Sequence, residues 1–382
     1  MSVKDIIREI KNQLAEKNIN FLIGSGASVP YFPTLGNIEE VLTKRGFHES
    51  VRHLIYLYYF NEVVSKNLQL RYESEECENA VTSNYRRFIR GLINIMNYRN
   101  PRISPRRANI FTTNYDLFFE KAIDIEQRFN SSIILNDGGN GYFFRVLSSD
   151  NFHKTVSRNG VFDNYQNELP TINLIKCHGS VNWHKSILGN QEIIEIENDL
   201  RLLCHVNKYA KNINLNTEEK NIIHKYLTSV EIDREVELNI HEIAEVNQNN
   251  LDSFFKEYRK LMIINPEKSK FKNTVLDEYY YSMLRLLSYE LEREQTILIV
   301  FGFSFRDEHI RNLIKRSLYN PYLRIYIFAY KRGQRREFEQ LMQSEFQKNI
   351  VIIEPTEKMP PIDLNLFTKI LFEDGIIDEY SS

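Results

Sequence analysis

A run of small residues, Gly24 to Ser28, directly follows the apolar stretch Phe21-Leu22-Ile23. Glycine allows the backbone of such a turn to approach a ligand closely, and backbone N–H groups at the end of a buried strand can donate to a phosphate. The run is therefore a candidate anion-binding turn. Strand-to-helix turns made of small residues are also common without any ligand, so the run alone does not decide its function.

Polar residues follow three later apolar stretches as well. These segments are Thr112–Asp116, Cys177–Ser180 and Gly302–Asp307. Each has a structural alternative: Asn114 or Asp116 could cap a helix, and His178 could be a core histidine with satisfied hydrogen bonds. Gly302 to Ser304 could be a simple turn. Because ligands of open α/β sheets bind beyond the carboxyl ends of the strands, the segments together predict one binding site.

The elements that must position these residues are short apolar runs of strand length. Six such runs are Asn20–Ile23, Asn109–Thr112, Ile172–Cys177, Thr296–Phe301, Leu323–Ala329 and Ile350–Ile353. Their hydrophobicity is continuous rather than alternating, as in strands buried on both faces of a parallel sheet. Helical patterns between them cover Asp116–Ala122, Asp307–Leu318 and Gly333–Phe346, with Asp307 a good N-cap. We expect an α/β fold with a Rossmann-like parallel six-stranded sheet.

Two long intervals interrupt this alternation and are predicted to be mostly helical. The clearest helical segments in them are Val51–Ser65, Ser83–Tyr98, Thr217–Thr228 and Asp252–Ile264. After the second interval, Thr274–Glu294 is predicted to be a long amphipathic helix that leads into the fourth strand. We expect residues 1–36, 106–183 and 267–382 to form the sheet domain. Residues 37–105 and 184–266 would form an inserted helical module over the site. The loop Asn265–Lys268 could cover the site, although a surface turn is the simpler interpretation.

Composition excludes several classes of function. The chain has 382 residues and a formal net charge of −2, so no basic excess indicates direct nucleic-acid binding. No apolar run approaches the roughly 20 residues that span a bilayer, and no signal-peptide core is present, so we expect a cytoplasmic protein without a membrane contact. The aromatic content and an amphipathic amino-terminal helix (Ile6, Ile7, Ile10, Leu14) favour a homo-oligomer.

The cysteines exclude a four-thiolate zinc site. The chain has only Cys77, Cys177 and Cys204, with no C-x-x-C pair. A zinc site of the Cys₄ type needs four thiolates, and three cysteines in 382 residues are too few for a disulfide framework. We therefore expect no metal ligands and no zinc ribbon.

The order G-S-G-A-S, T-T-N-Y-D, K-C-H-G-S and G-F-S resembles the sirtuins, whose corresponding segments bind NAD in this order. The resemblance extends from Asn20 to Leu318, although only these short segments are specific. The run Gly302–Ile310 further resembles a sirtuin-like subgroup associated with bacterial anti-phage defence. Short proteins of that subgroup are often found with a HerA-type ATPase partner, which the resemblance makes a possible partner here.

The resemblance implies a role for each matching residue. It places Asn114 and Asp116 at the nicotinamide and its ribose, and His178 beside the ribose hydroxyls, which makes these residues the catalytic candidates. The implied NAD-binding residues are Gly24, Ser25, Gly26, Ala27, Ser28, Thr113, Gly302, Ser304 and Phe305. Of these, Gly24, Gly26, Ala27 and Ser28 would hold the phosphates, and Gly302 with Ser304 would hold the adenosine side.

Two departures from the sirtuin deacylases shift the expected reaction. The zinc-binding cysteines are missing, and Thr113 stands where the deacylases have glutamine. We therefore expect an NAD hydrolase that uses NAD as its substrate and releases nicotinamide and ADP-ribose, depleting NAD as an anti-phage (abortive infection) effector. Asn114 would orient the attacking water through its amide, and His178 would accept a proton.

Several alternatives to the hydrolase stay open. With another acceptor, the same cleavage would give a zinc-free protein deacylase or an ADP-ribosyltransferase. A nucleotide-sensing binding subunit is the non-enzymatic alternative, although such a subunit needs neither Asn114 nor His178. A dehydrogenase is disfavoured because the turn is G-S-G-A-S rather than G-x-G-x-x-G.

Overall fold

A seven-stranded parallel sheet forms the centre of the chain. The structure is a computed structural model, and it describes residues 3–33, 38, 42, 48–74, 78–100, 104–130, 132–160, 166–229, 233–265, 274–343 and 347–376. The strands of the sheet are β1 (Asn18–Ile23), β2 (Arg107–Thr112), β3 (Ile134–Asn136), β8 (Thr171–Lys176), β11 (Thr296–Phe301), β12 (Arg324–Phe328) and β13 (Ile350–Ile353). Their spatial order is β13-β12-β11-β1-β2-β8-β3. The predicted α/β class with a Rossmann-like parallel sheet is confirmed.

The predicted number of six strands is wrong. The additional strand, β3, is only three residues long and pairs with β8 at the edge of the sheet. All three residues are half-buried. Such a short, half-buried edge strand produces no continuous apolar run, and so the pattern that identified the central strands could not identify it.

A chain of asparagine amides, three of them buried and the one at the edge half-buried, crosses the sheet. Asn20, Asn109, Asn173 and Asn136 lie in register on β1, β2, β8 and β3. Each Nδ2 donates to the next Oδ1: Asn136 to Asn173 at 3.0 Å, and Asn173 to Asn109 and Asn109 to Asn20 at 2.8 Å. The Asn20 amide completes the chain by donating to the Ile297 carbonyl at 3.3 Å. This asparagine ladder fixes the register of the strands whose ends carry the predicted site residues.

Helices flank the sheet and follow most of its strands. They are α1 (Val3–Glu16), α2 (Glu49–Tyr59), α3 (Lys66–Tyr72), α4 (Ala80–Tyr98), α5 (Phe118–Phe129), α6 (Arg201–Lys211), α7 (Thr217–Thr228), α8 (Arg234–Val246), α9 (Gln248–Tyr258), α10 (Thr274–Glu292), α11 (Glu308–Ser317), α12 (Arg335–Leu341) and α13 (Leu364–Phe372). A π-helical segment, Phe60–Val64, joins α2 to α3. Asp307 is the N-cap of α11, as predicted.

The second interval predicted to be mostly helical begins with strands. β9 (Trp183–Leu188) and β10 (Gln191–Ile196) form a hairpin, which joins β4 (Gly139–Asn140) and β5 (Arg145–Leu147) in an antiparallel sheet. A separate pair, β6 (Ser157–Asn159) and β7 (Gln166–Glu168), forms a two-stranded sheet. Polar residues interrupt the apolar ones along both strands, so the hairpin lacks the continuous apolar run that marked the buried strands. The division of the chain into a sheet domain and a helical module stays a prediction.

The apolar side of α1 is buried within the chain. Ile7, Ile10 and Leu14 are buried in the same hydrophobic core as α4 and α13. Their burial explains the amphipathic pattern without a second subunit, and so this helix does not support the predicted homo-oligomer. Within the described residues, none of the helices combines the length and apolarity that a membrane span requires.

Candidate active site

A cavity of about 510 Å³ lies at the carboxyl ends of β1, β2, β8 and β11. The volume is within the roughly 300–1,000 Å³ typical of small-molecule sites. Its polar lining includes Ser25, Gly26, Ser28, Thr113, Asn114, Asp116, His178, Asn265, Gly302, Ser304, Arg306 and Asp307. Apolar and aromatic residues complete the wall, among them Phe32, Ile38, Tyr59, Val63, Tyr115 and Phe303. The structure thus brings residues from all the predicted segments to one cavity.

The turn after β1 packs directly against the turn after β11. A Cβ atom on Gly24 would lie 2.4 Å from the carbonyl oxygen of Gly302, and one on Gly302 would lie 2.7 Å from the backbone nitrogen of Ala27. Gly302 also has a φ of +66°, in the left-handed region. Glycine is therefore required at both positions because two backbone segments approach closely.

The backbone N–H groups of the first turn are partly used within the protein. Gly24 donates to the Phe301 carbonyl, Gly26 to the Gly302 carbonyl and Ala27 to the Gly24 carbonyl, at 3.0–3.1 Å. These bonds hold the 3₁₀ turn Ser25–Ser28 in place. Phosphate binding by these N–H groups stays a prediction, since they already have acceptors.

A buried polar network lies beneath the turn. The Ser28 hydroxyl donates to Oδ2 of Asp116 at 2.7 Å and lies 2.9 Å from the Tyr85 hydroxyl. Nδ2 of Asn114 lies 3.3 Å from the same Ser28 oxygen and 3.1 Å from the Gly24 carbonyl oxygen. The network ties the first predicted segment to the second and fixes the orientation of the Asn114 side chain.

The Asn114 side chain carries a free acceptor. Its Nδ2 is engaged as described, and its backbone N–H donates to Thr112 Oγ1 at 3.0 Å. Its Oδ1 is buried and has no hydrogen-bond partner within the described part of the chain. A buried acceptor without a partner costs about 1–3 kcal/mol, which a functional role can explain. Asn114 thus belongs to the cavity lining and has an amide oxygen that can still accept a hydrogen bond.

Asp116 is held at both carboxylate oxygens. Oδ2 accepts from Ser28, and Oδ1 accepts the Phe118 N–H at 3.3 Å, which places Asp116 at the start of α5. Lys176 donates to the Asp116 carbonyl oxygen and forms an ion pair with Glu120 at 2.6 Å. Burial raises the pKa of the Asp116 carboxyl, and the positive charge of Lys176 partly opposes that rise.

Replacing Asp116 by asparagine should change how stability depends on pH. Burial raises the folded-state pKa of Asp116 above its ordinary value of 3.8, so the folded chain holds the proton more tightly than the unfolded chain. The contribution of Asp116 to the free energy of unfolding is therefore full at low pH and declines as the pH rises above 3.8. In Asp116→Asn this decline should be absent.

Urea denaturation between about pH 4 and pH 8 measures this effect as the difference in unfolding free energy between variant and wild type. The difference should increase with pH in favour of Asp116→Asn. Asp124→Asn is a matched control, because Asp124 is exposed on the same helix. A difference that decreases with pH would contradict the assigned direction of the shift.

His178 forms a hydrogen bond with Asp307. Its Nε2 lies 3.0 Å from Oδ2 of Asp307, and the side chains are 16% and 6% exposed. The His178 carbonyl accepts the N–H of Ile264 at 2.8 Å, and the Tyr280 ring lies 5.9 Å from the imidazole ring. The imidazole is therefore anchored on one side and reaches the cavity on the other.

Three predicted NAD-binding residues are not among the described residues that line the cavity: Gly24, Ala27 and Phe305. Gly24 and Ala27 shape the turn through their backbone. Phe305 is fully buried, with a φ of +57°, and its ring packs edge-on against Phe303 and Phe338. Its side chain belongs to the hydrophobic core, and a contact with NAD stays a prediction for Phe305.

Sequence reasoning missed several residues of the site. Arg306 lines the cavity and is its one lysine or arginine among the described residues. Asp307 was assigned only to the cap of α11, and the Tyr85 hydroxyl in the buried network was not considered. Arg306 and Asp307 stand in the predicted segment after the fourth apolar run and could have been identified from the sequence. Tyr85 lies on α4, far in the sequence from any strand end.

The described residues contain no group of three or more His, Cys, Asp or Glu side chains arranged to hold a metal ion. Cys177 is buried, which raises the pKa of its thiol to about 12. Cys204 lies on α6, and Cys77 is outside the described residues. The polar groups of the cavity lining suit an organic ligand.

The fold and the cavity together define an α/β protein with a cavity at the carboxyl edge of a parallel sheet. A family model described as the SIR2-like domain matches residues 108–229. The matched segment contains Asn114, Asp116 and His178, and it excludes the turns at Gly24 and Gly302. No curated protein matches the chain. The match supports a sirtuin-like protein with an NAD-related activity.

Proposed function

We propose that the chain is an NAD glycohydrolase that cleaves NAD to nicotinamide and ADP-ribose. The observation that carries this proposal is that Asn114, whose buried Oδ1 has no partner among the described residues, lines the same cavity as His178. An oriented acceptor and a base are what a water nucleophile needs. A pure binding site could use such an acceptor for its ligand, but it needs no base beside it.

Each of these residues has a separate role in the proposed hydrolysis. NAD supplies a cationic leaving group on an anomeric carbon, whose cleavage resembles glycoside hydrolysis. Asn114 accepts a hydrogen bond from water or a ribose hydroxyl through Oδ1, while Gly24 and Ser28 fix its amide. His178 accepts the proton that water loses. Asp116 keeps Ser28, and through it Asn114, in position.

The proposal is tested by incubating the purified chain with NAD alone and measuring nicotinamide release. The same assay is run with an acyl-lysine peptide, and with the product of any neighbouring ATPase gene. Release from NAD alone, or with the ATPase, supports the hydrolase. Deacylation that requires the peptide, with no release from NAD alone, would overturn it in favour of a deacylase. Binding of NAD without any release would leave a nucleotide-sensing subunit.

Arg306 should contribute to substrate affinity. Its positive charge at the cavity suits a phosphate of NAD. Replacing Arg306 by alanine should raise KM by about tenfold, equivalent to about 1.4 kcal/mol, with little change in kcat. The measurement is the dependence of nicotinamide release on NAD concentration. Arg316→Ala is the matched control, because Arg316 is exposed on α11 and does not line the cavity. Equal KM values for the two variants would contradict this role.

The resemblance of Gly302–Ile310 supports a cellular role that we propose with the activity. The chain would deplete cytoplasmic NAD during phage infection, together with a HerA-type ATPase and as a homo-oligomer. Exposed aromatic side chains, among them Tyr98, Tyr142 and Phe143, offer surface for such contacts. Measuring NAD in infected cells that carry the chain with and without the ATPase tests the role. An unchanged NAD level in both cultures would contradict it.

A further inference from the structure

We propose that Asp307 is a positioning residue that holds His178 in a single tautomer. The catalytic consequence rests on the proposed hydrolase function, whereas the tautomer itself does not. The sequence assigned Asp307 to capping a helix, and capping accounts for only one of its carboxylate oxygens.

The two carboxylate oxygens of Asp307 have different hydrogen-bond partners. Oδ1 accepts the backbone N–H groups of His309 and Ile310 at 3.0 and 3.1 Å, which caps α11. Oδ2 lies 3.0 Å from Nε2 of His178. Because the cap fixes the plane of a side chain that is only 6% exposed, Oδ2 has a defined position. The helix terminus therefore serves as the support for the histidine.

This hydrogen bond connects distant parts of the site. His178 follows β8 and Asp307 follows β11, and β1 and β2 lie between these strands in the sheet. Both side chains line the cavity. The bond thus joins opposite sides of the site, and it holds the imidazole of His178 at the cavity that Asn114 also lines.

The chemistry of the acceptor selects the tautomer. An ionised carboxylate has no proton to donate, so in the neutral imidazole the proton must lie on Nε2. The lone pair is then on Nδ1, which becomes the basic nitrogen of His178. Fixing a catalytic imidazole in the correct tautomer is the role that the buried aspartate has in serine-protease triads.

Asparagine at position 307 reverses this selection with minimal change in shape. Its amide oxygen can still accept from His309 and Ile310, because asparagine is as good an N-cap as aspartate. Its Nδ2 then takes the place of Oδ2 and faces Nε2 of His178 as a donor. The imidazole must accept there, which moves its proton to Nδ1 and removes the basic lone pair from that nitrogen.

The matched control is Asp363→Asn. Asp363 caps α13 by accepting the Leu366 N–H at 2.8 Å, and it does not line the cavity. Any effect of exchanging a capping aspartate for asparagine on helix stability appears in both variants. A further variant, Asp307→Ser, keeps a good N-cap but is too short to reach His178.

The experiment combines NMR of histidine-labelled (¹⁵N) protein without substrate with steady-state kinetics on NAD. The His178 ring resonances are identified by their loss in His178→Ala. We expect the Nε2–H tautomer in the wild type and in Asp363→Asn, and the Nδ1–H tautomer in Asp307→Asn. Asp307→Asn should lose about 10²–10⁴-fold in kcat with KM little changed, and Asp307→Ser should also lose kcat.

The outcomes separate this proposal from the proposed function. An unchanged tautomer in Asp307→Asn, or a kcat equal to that of Asp363→Asn, overturns the positioning role even if the wild type hydrolyses NAD. A tautomer that switches in a protein that hydrolyses no NAD, either alone or with the product of the neighbouring ATPase gene, supports the role of Asp307 in holding His178 and overturns the hydrolase. A switched tautomer together with the loss of kcat supports both proposals.

Discussion

Replacing His178 by alanine should reduce NAD cleavage by about 10²–10⁴-fold, the usual contribution of general acid–base catalysis. Asn114→Ala should cause a comparable loss, because it removes the acceptor that orients the nucleophile. The measurement is kcat for nicotinamide release. His153→Ala is the control, since His153 is exposed and does not line the cavity.

The double variant sharpens this prediction. If Asn114 and His178 act on the same water, either single substitution already removes most of their joint contribution to kcat. The double variant should then have about the same kcat as either single variant. If the fold-losses in kcat of the two single variants multiply in the double variant, the two residues act in separate steps. Thermal unfolding should show all these variants folded, although Asn114→Ala leaves the Gly24 carbonyl without the hydrogen bond from Nδ2. Activity within a factor of two or so of the wild type in His178→Ala would contradict its role as the base.

Gly302→Ala should be the most destabilising of the substitutions considered. The new Cβ would lie 2.7 Å from the backbone nitrogen of Ala27, and the residue would keep a φ of +66°. Left-handed backbone costs a residue with a Cβ about 1–2 kcal/mol. The collision adds to that cost because backbone, not a mobile side chain, must shift. We expect a total loss of about 3–5 kcal/mol from a stability that is typically about 5–15 kcal/mol.

Two further glycine variants separate strain from collision. Gly189 has a φ of +63° with no atom near its missing Cβ, so Gly189→Ala should cost only the strain, about 1 kcal/mol. Gly24 has no positive φ but would place a Cβ 2.4 Å from the Gly302 oxygen, so Gly24→Ala isolates the collision. Urea denaturation gives the unfolding free energies. If Gly302→Ala were no worse than Gly189→Ala, the close contact of the turns would not be a constraint.

Much of the site was predictable because parallel strands end at a common edge. The apolar runs located the central strands, and the polar residues after them converge on one cavity, as the segments around Asn114 and His178 show. The N-cap at Asp307 was also predictable, since aspartate before an amphipathic segment is a strong local signal. These features depend on residues that are neighbours in the sequence.

Features that depend on contacts distant in the sequence were not predictable. The pairing of His178 with Asp307 joins residues 129 positions apart. The requirement for glycine at position 24 also depends on a distant contact. The sequence around Gly24 suggests a ligand, whereas in the structure the backbone of Gly302 packs against Gly24. The strand Ile134–Asn136 and the polar hairpin after Trp183 lack the continuous apolar pattern on which strand prediction relies.

The asparagine ladder has a consequence for how the sheet assembles. Each amide of Asn20, Asn109, Asn173 and Asn136 has a hydrogen bond that forms only when a neighbouring strand is present and in register. In a partly assembled sheet, an amide at the free edge is either buried without its partner or left in water. Such a sheet therefore gains little free energy until the next strand docks. This couples the strands into one cooperative unit, so that intermediates missing β3 or β8 should be sparsely populated during folding.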